Sequence, residues 1–463
     1  MSDRKPDTEN VRETLGTDLG FIRYLKENGG ETMKKCYQCA TCSVVCELSP
    51  KEYAFPRKEM IQASWGQKDK LMADPDIWLC HGCMDCSLQC PRSARPADLM
   101  GALRSYVYRE YSAPGFMGEA MSKPKYLPWL FIFPLALILA LILLNNVIFH
   151  NSDMNLLAVR DGKMSVEQAE SMGAVFASPE EKAEYEHLGS YMDYKEFTEK
   201  GGRLEVPAGV GQTPEEYYIS SFGVLKYEDF FHKLIIEVFF FAGNILIFFL
   251  LYLGMKRYWD NLEKNNTMKK QMPFLKAAWL TLWEFLAHRK FEKCPTNSNR
   301  RQGHLWVFYG FLGTAIATGL VVVGELYHYK FLMLLHLPYP MDLFHWVKIL
   351  GMVSGIFLFI GMVMFMLKRI KTEKREGRST YNDWLFLWIL FGVAATGLST
   401  VFGRLSGIPE LAYAIYYIHL VLVFFLLWYM PYSKFAHMAY RFVGLTWLKM
   451  HGRENKPEVF AKN

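Results

Sequence analysis

Six long apolar stretches most constrain the fold of this chain of 463 residues. A helix needs about 20 consecutive apolar residues to cross a bilayer, and each stretch reaches that length. They cover residues 127–149, 232–255, 304–326, 342–367, 382–402 and 410–431. With 51% hydrophobic and 16% aromatic residues, the sequence predicts a mainly α protein whose largest part is a six-span transmembrane helical bundle.

The segments between the stretches differ in charge, which predicts an orientation. Residues 256–303 hold 11 basic and 4 acidic groups, while 368–381 and 433–463 each hold 6 and 2. Residues 151–231 hold 7 basic and 16 acidic groups. Because Lys and Arg accumulate on the cytoplasmic side, both chain ends are expected in the cytoplasm, with the spans in the inner (cytoplasmic) membrane. The net charge of +6 then needs no nucleic acid partner.

Eight of the nine cysteines lie in two copies of C-x2-C-x2-C-x3-C, in KCYQCATCSVVC and CHGCMDCSLQCP. This spacing is that of bacterial-type ferredoxins, which bind two [4Fe–4S] clusters and in which the fourth cysteine of each run ligates the other cluster. The first predicted ligand set is Cys36, Cys39, Cys42 and Cys90, and the second is Cys80, Cys83, Cys86 and Cys46.

Two other uses of the cysteines are less favoured. Disulfides are typical of oxidising compartments, and the polar start of the sequence shows no secretory signal. Zinc is usually held by two well-separated C-x2-C pairs rather than by four cysteines in one loop. The ninth cysteine, Cys294, is alone and is interpreted as structural.

The chain divides into five predicted parts. They are a helical ferredoxin-type domain at 1–115, a linker with the first span at 116–150, a polar external insertion at 151–231, a bundle at 232–440 whose histidines, described below, predict haem b, and a cytoplasmic tail at 441–463.

A further helix is predicted within residues 273–291, outside the spans. Leu275, Trp279, Leu282 and Leu286 fall on one face of this helix, which favours a position at the membrane surface.

Two histidines near the end of the chain predict haem binding. His419 and His437 are 18 residues apart, which is five turns of a regular helix and about 27 Å along its axis. They would therefore share one helix face and serve the two leaflets, provided that the helix stays regular past Pro431. Two stacked haems with two histidine ligands each would need this arrangement.

The second axial ligands are expected from other spans at matching depth. His304 opens the third span from the basic side, as His437 closes the sixth. His345 opens the fourth span from the opposite side and is the expected partner of His419, with His232 as its competitor.

These motifs resemble known families. The C-Y-Q-C-x-x-C loop at residues 36–42 resembles the C subunit of heterodisulfide reductases, and the histidine half resembles the cytochrome b subunits of respiratory nitrate reductase and of heterodisulfide reductase. The nitrate reductase relatives also carry two histidines ten residues apart on an earlier helix. Here the residue ten positions after His304 is Thr314. The fourth haem ligand must therefore come from elsewhere.

The fusion of both halves is similar to the C subunits of quinone-interacting membrane-bound oxidoreductase complexes in sulfate-reducing organisms. This resemblance implies menaquinone as the membrane carrier, flavin and iron–sulfur partner subunits similar to heterodisulfide reductase A, and adenylylsulfate reductase as the eventual acceptor.

The expected function is electron transfer from quinol through two haems b and two [4Fe–4S] clusters to a soluble partner. The chain shows no glycine fingerprint for a flavin or nicotinamide and is not expected to be catalytic alone. The quinone site is not identified, and candidate proton acceptors are Glu237, Glu325, Asp342 and Lys348. Two alternatives stay open, namely electron flow in the opposite direction and a membrane anchor with structural or redox-sensing clusters.

Overall fold

A computed structural model describes eight segments of the chain. They are residues 16–50, 54–148, 233–266, 268–288, 298–328, 344–376, 379–406 and 408–453. The predicted insertion at 151–231, His232, Cys294 and Asp342 lie outside the described residues, as does the side chain of Glu325. Within the described segments every regular element is a helix and none is a strand, which confirms the mainly α prediction.

The N-terminal unit (residues 16–122) is built from short helices around one longer helix. Its α-helices are α1 Leu19–Leu25, α2 Thr41–Val45, α3 Arg57–Ser64, α4 Lys68–Met72, α5 Asp85–Leu88, α6 Pro96–Tyr111 and α7 Gly115–Ser122, with a π-helical turn at Lys26–Gly30 and 3₁₀ turns at Met33–Lys35 and Pro75–Trp78. Pro96 opens α6, where its missing N–H would be unbonded in any case. Leu99, Leu103 and Val107 recur at every fourth position of α6 and are fully buried.

Six longer helices match the predicted spans. They are α8 Leu127–Ile148, α9 Lys233–Asn265, α11 Ser298–His328, α12 Trp346–Glu376, α13 Tyr381–Leu405 and α14 Pro409–Trp428. All six are long and apolar enough to cross a membrane, so they are compatible with a multi-pass membrane protein. Two shorter amphipathic helices complete the described fold, α10 Phe274–Ala287 and α15 His437–Met450.

Glycines bring α11 and α12 into close contact. A Cβ atom added at Gly310 would lie 2.5 Å from the backbone nitrogen of Leu358, and one at Gly361 would lie 2.9 Å from that of Val307. No side chain fits at either position without moving a backbone. Small residues of this kind let membrane helices approach closely and associate without a hydrophobic driving force.

The last predicted helix is not continuous, which corrects the expectation of one regular helix from His419 to His437. Helix α14 ends at Trp428, two 3₁₀ turns follow at Met430–Tyr432 and Lys434–Ala436, and α15 begins at His437. Pro431 explains the break, because proline cannot donate the helical hydrogen bond and its ring clashes with the preceding turn. His419 and His437 therefore lie on different helices and do not share one helix face.

The buried core is continuous from the N-terminal unit into the long helices. Trp78, Tyr258 and Tyr440 come from the Pro75–Trp78 turn, α9 and α15, and all three side chains are fully buried. The indole Nε1–H of Trp78 donates to the hydroxyl oxygen of Tyr258 at 2.9 Å, and its ring stacks on Tyr440 with 6.5 Å between centroids. Helix α15 thus returns the end of the chain to the N-terminal unit.

Candidate functional site

The two cysteine loops have the same backbone conformation. Gln38 and Ala40 in the first loop have φ angles of 61° and 68°, and Gly82 and Met84 at the matching positions of the second loop have 66° and 74°. A short helix follows each loop, α2 in the first case and α5 in the second. Left-handed conformations cost about 1–3 kcal/mol at residues other than glycine and concentrate at functional sites. Both loops therefore share two left-handed positions, and glycine removes the conformational cost at one of them, Gly82.

The structure brings the cysteines together in the crosswise sets that the spacing predicts. One pocket, of about 330 Å³, is lined by Cys36, Cys39, Cys42 and Cys90. A second, of about 360 Å³, is lined by Cys46, Cys80, Cys83 and Cys86. Each pocket thus takes three cysteines from one loop and the fourth from the other. We call them the Cys36 pocket and the Cys80 pocket.

Hydrogen-bond donors point at cysteine sulfurs in both pockets. The backbone N–H of Gly82 donates to Cys80 Sγ at 3.2 Å, and that of Ala94 donates to Cys90 Sγ at 3.3 Å. The side-chain amide of Gln38 donates to Cys36 Sγ at 3.3 Å. Donors of this kind stabilise thiolates and help to set the reduction potential of iron–sulfur clusters. The donor set therefore fits metal-bound thiolates.

The pocket thiols differ in burial and therefore in pKa. It raises the pKa of Cys42 to about 11 and that of Cys46 to about 12. Bound metal would reverse this tendency, because a coordinating thiol is deprotonated outright. Cys39 is exposed, and its hydrogen bond with Thr41 lowers its pKa. The surface of the first loop also exposes 68% of Tyr37 and 83% of Val44.

The Cys80 pocket lies against α15. The backbone carbonyl oxygen of Cys80 accepts hydrogen bonds from Arg104 at 2.9 Å and from Arg441 at 3.3 Å. Arg441 also lies 3.2 Å from both ring nitrogens of His81. One carbonyl oxygen can accept two such donors, because it has two lone pairs. Arg441 thus joins the last helix to the second cysteine loop.

His437 is the first residue of α15, and one of its ring nitrogens is engaged. Its Nδ1 lies 2.5 Å from the carbonyl oxygen of Lys434, and burial lowers the pKa of the ring to about 3. The ring is therefore neutral at physiological pH. Because a carbonyl can only accept, Nδ1 carries the proton and Nε2 is the nitrogen left to bind a metal.

His419, in the middle of α14, shows the same pattern. Its Nδ1 lies 2.9 Å from the hydroxyl oxygen of Thr396, and that hydroxyl donates to the carbonyl oxygen of Gly392 at 2.6 Å. Thr396 must then accept the Nδ1–H of His419, which again leaves Nε2 for a ligand. Metal-binding histidines usually have their other ring nitrogen fixed in this way.

His304 lies in the second turn of α11, about 10 Å along the helix axis from Phe311. Phe311, two turns further along α11, contacts Phe435, with 5.0 Å between the ring centroids. The ring of His304 also lies 5.3 Å from that of His288, a buried residue that follows α10. His288 was not predicted from the sequence, because it lies outside the apolar stretches and in no motif.

The described residues do not bring His345 to the level of His419. His345 comes directly before α12, and its Nδ1 accepts from the N–H of Val347 at 3.4 Å. Gly355, ten residues further along α12, lies beside Leu398, close to the level of Thr396 and His419. At 1.5 Å per residue, His345 is about 15 Å nearer the end of the bundle.

A buried group of acidic residues is the other candidate for metal binding. Glu59, Asp74 and Asp76 each offer an oxygen within 4.8 Å of the others. Two cations already lie among them: Lys58 Nζ is 2.6 Å from Asp74 and 2.9 Å from Asp76, and Arg453 is 2.7 Å from Asp76. Burial raises the pKa of Glu59 well above its ordinary value, and Lys58 Nζ lies 3.3 Å from its carboxyl. The group is therefore a buried ion-pair network rather than a metal site.

Comparison with known proteins supports the division into two halves. The family "4Fe-4S dicluster domain" matches residues 32–94, and the family "Citrate utilization protein B" matches residues 241–458. No solved structure gives a significant match.

Several curated proteins are similar to parts of the chain. The C subunit of the H(2):CoB-CoM heterodisulfide,ferredoxin reductase of Methanothermobacter marburgensis is 30% identical over 112 residues, which is 24% of this chain and 58% of that protein. A protein of Archaeoglobus profundus that is itself described as like the heterodisulfide reductase C subunit is 31% identical over 118 residues, covering 24% and 63%. Citrate utilization protein B of Escherichia coli is 28% identical over 239 residues, covering 50% and 59%. The chain thus spans less than two thirds of each of these relatives.

The fold and the pockets define a class of helical protein in which two four-cysteine pockets accompany six described helices that are long and apolar enough to cross a membrane. More closely, it joins a dicluster unit similar to the C subunit of heterodisulfide reductases to a region similar to citrate utilization protein B. The similarity to subunits of oxidoreductase complexes is consistent with a subunit that is not catalytic by itself.

Proposed function

We propose that this chain is the membrane electron-transfer subunit of a quinone-linked oxidoreductase complex. Electrons from menaquinol would reach soluble flavin and iron–sulfur subunits similar to heterodisulfide reductase A and, beyond them, adenylylsulfate reductase in dissimilatory sulfate reduction. The N-terminal unit and the C-terminal tail would lie in the cytoplasm, with the long helices in the inner membrane. Two [4Fe–4S] clusters and two haems b, when bound, supply the one-electron chemistry.

One observation supports this proposal above the others: two pockets of four cysteines share a continuous core with helices that carry oriented histidines. The Cys36 pocket would hold one cluster and the Cys80 pocket the other. His437 and His419 would be axial haem ligands through Nε2, because Nδ1 is engaged in both. His304 is proposed as the partner of His437, and His345 stays a prediction for the fourth ligand.

The residues of the chain have three tasks in this proposal. The donors to Cys36, Cys80 and Cys90 would hydrogen-bond the sulfurs that hold the clusters. Lys434 and Thr396 fix the tautomers of the two histidines. The core around Trp78 excludes water between the Cys80 pocket and the long helices.

The quinone site is not identified by the geometry. Among the candidate proton acceptors, Glu237 lies in the first turns of α9 and Lys348 in the first turn of α12, so both are near ends of candidate spans. Either residue is suitably placed to exchange a proton at a membrane surface.

The haem assignment can be tested by a dithionite-reduced-minus-oxidised visible spectrum of the purified chain, with haem, iron and sulfide quantified per chain. Two haems b are expected. His437→Ala and His304→Ala should each lose the same haem, and His419→Ala should lose the other. His451→Ala is a matched control, because this buried histidine at the end of α15 also has its Nδ1 engaged, by the carbonyl of Trp447.

The outcomes separate the candidate functions. Retention of both haems in His437→Ala and His419→Ala, with iron and sulfide unchanged, would contradict these ligands. A well-folded chain with iron and sulfide but no haem would favour a membrane-anchored ferredoxin instead. A chain without iron and sulfide would refute the assignment of the pockets.

A further inference from the structure

The two cysteine pockets are not equivalent with respect to the long helices. Within the described residues, the second loop contacts α15 through the Cys80 carbonyl and the ring of His81. Trp78, two residues before Cys80, inserts between α9 and α15. The first loop instead exposes Cys39, Tyr37 and Val44. One pocket thus faces the bundle, and the other faces the surroundings of the N-terminal unit.

Arg441 is the residue that links the Cys80 pocket to a proposed haem ligand. It follows His437 by four residues on α15, and residues four apart lie on the same helix face, about 6 Å apart along the axis. Its guanidinium contacts the carbonyl of Cys80, which places Arg441 beside the Cys80 pocket and one helical turn from His437. A second guanidinium, that of Arg104, contacts the same carbonyl from α6.

A positive charge at this position has a predictable effect on electron affinity. When a [4Fe–4S] cluster gains one electron, it gains one negative charge, and no bond is made or broken. The interaction of that charge with a cation is several times stronger in a partly buried site than in water. Net charge and hydrogen bonds near the sulfurs are known determinants of cluster potential. Arg441 should therefore stabilise the reduced state of a cluster in the Cys80 pocket.

We propose that Arg441 is a positioning residue that raises the reduction potential of the cluster held by Cys46, Cys80, Cys83 and Cys86 and couples this cluster to the haem held by His437. This inference rests on the proposed function and adds the order in which the cofactors would lie between the membrane and the soluble partner. In this order, the residues of the Cys80 pocket would hold the cluster nearer to His437, and those of the Cys36 pocket would hold the cluster farther from it. The Cys36 pocket then faces the soluble partner.

The first loop offers a matched control. Arg57 lines the Cys36 pocket, and its Nε–H donates to the side-chain oxygen of Gln38 at 3.1 Å. Arg57 belongs to the N-terminal unit and lies next to the other pocket. Replacing Arg57 with a neutral residue should change the reduction potential of the cluster in the Cys36 pocket, which Arg441 should not influence.

The test is a redox titration of the full chain in detergent, followed by electron paramagnetic resonance of the two reduced clusters. Arg441→Gln keeps a hydrogen-bonding side chain but removes the charge, and it should shift one cluster signal to a lower midpoint potential. Arg57→Gln should lower the potential of the other signal. Arg441→Lys keeps the positive charge on a side chain of different shape. It should shift the same signal as Arg441→Gln, but by less.

Several outcomes would overturn the inference. With both clusters at full signal intensity, the inference is contradicted if Arg441→Gln shifts neither midpoint potential or shifts both equally. It is also contradicted if Arg441→Gln shifts the same signal as Arg57→Gln. If Arg441→Gln fails to bind clusters, Arg104→Gln decides the matter, because it removes the other positive charge at the same carbonyl, and an unchanged potential in that variant contradicts the proposal. Absence of both cluster signals from the unmodified chain would instead refute the proposed function itself.

Discussion

At the scale of single residues, the chemistry depends on which ring nitrogen of a histidine carries the proton. Thr396 determines this for His419, because its own hydroxyl proton is donated to Gly392 and its oxygen can then only accept. Gly397, the next residue on α13, makes room for the ring: a Cβ there would lie 3.0 Å from Cε1 of His419. Two neighbouring positions on one helix thus orient a side chain of another.

Thr396→Val removes the acceptor while keeping the shape of the side chain. Loss of such a supporting hydrogen bond typically weakens metal binding by about 10–100-fold. We therefore expect the haem proposed at His419 to be lost faster to excess apomyoglobin, with the other proposed haem retained as before. Thr318→Val is the control, because Thr318 is exposed and donates only along its own helix, to Thr314. Equal haem loss from the two variants would show that Thr396 does not orient His419.

At the scale of helices, the contact between α15 and the Pro75–Trp78 turn holds the N-terminal unit on the bundle. Gly444 is the closest point of this contact, since a Cβ at this position would lie 2.5 Å from Cδ1 of Trp78. The indole cannot move away without losing its hydrogen bond to Tyr258 or its stacking on Tyr440.

Gly444→Ala should accordingly destabilise the protein by about 1–3 kcal/mol, the usual cost of adding a methyl group to a filled core. Thermal unfolding in detergent, followed by tryptophan fluorescence, measures this effect. Gly101→Ala is the matched control, because Gly101 is also helical and an added Cβ meets no atom within 4 Å. It should be neutral or stabilising by up to about 1 kcal/mol. An unchanged unfolding temperature in Gly444→Ala would argue against a tight contact with Trp78.

The elements differ in how far the sequence predicts them. The spans follow from the length of apolar runs, and the crosswise cysteine sets follow from motif spacing, so both could be predicted. The proline itself signals the break at Pro431, and the expectation of one regular helix depended on it. The contact of Arg441 with Cys80 joins residues 361 positions apart, and no local pattern indicates it. The role of Thr396 was not predicted for the same reason, since the residue that it contacts, His419, lies on another helix.

At the scale of the whole molecule, α10 indicates how the protein is oriented relative to a membrane surface. The residues predicted to share an apolar face include Leu275 and Trp279, which are 79% and 58% exposed, while Ala277 and Thr281 on the opposite side are buried. Lys449 pairs with Glu284, which fixes α10 on α15. An amphipathic helix held in this way, beside candidate spans, suits the surface of a bilayer.

The bilayer position of α10 can be measured by fluorescence quenching in nanodiscs made with brominated lipids. The double variant Trp279→Phe, Trp283→Phe should lose lipid-quenched emission, because both indoles are more than half exposed on α10. Trp65→Phe is the control, since Trp65 is 54% exposed on the N-terminal unit and should contribute only unquenched emission. Equal changes in the two variants would contradict a membrane position for α10.

The return of α15 to the N-terminal unit also bears on how the protein is made. The residues that cover Trp78 and bind the Cys80 carbonyl lie at positions 440, 441 and 444, near the end of the chain. During synthesis, both cysteine loops leave the ribosome before any long helix does. The side of the Cys80 loop that α15 covers therefore stays uncovered until the last long helix has been made. The order of translation thus leaves that side of the second loop accessible until α15 has been made.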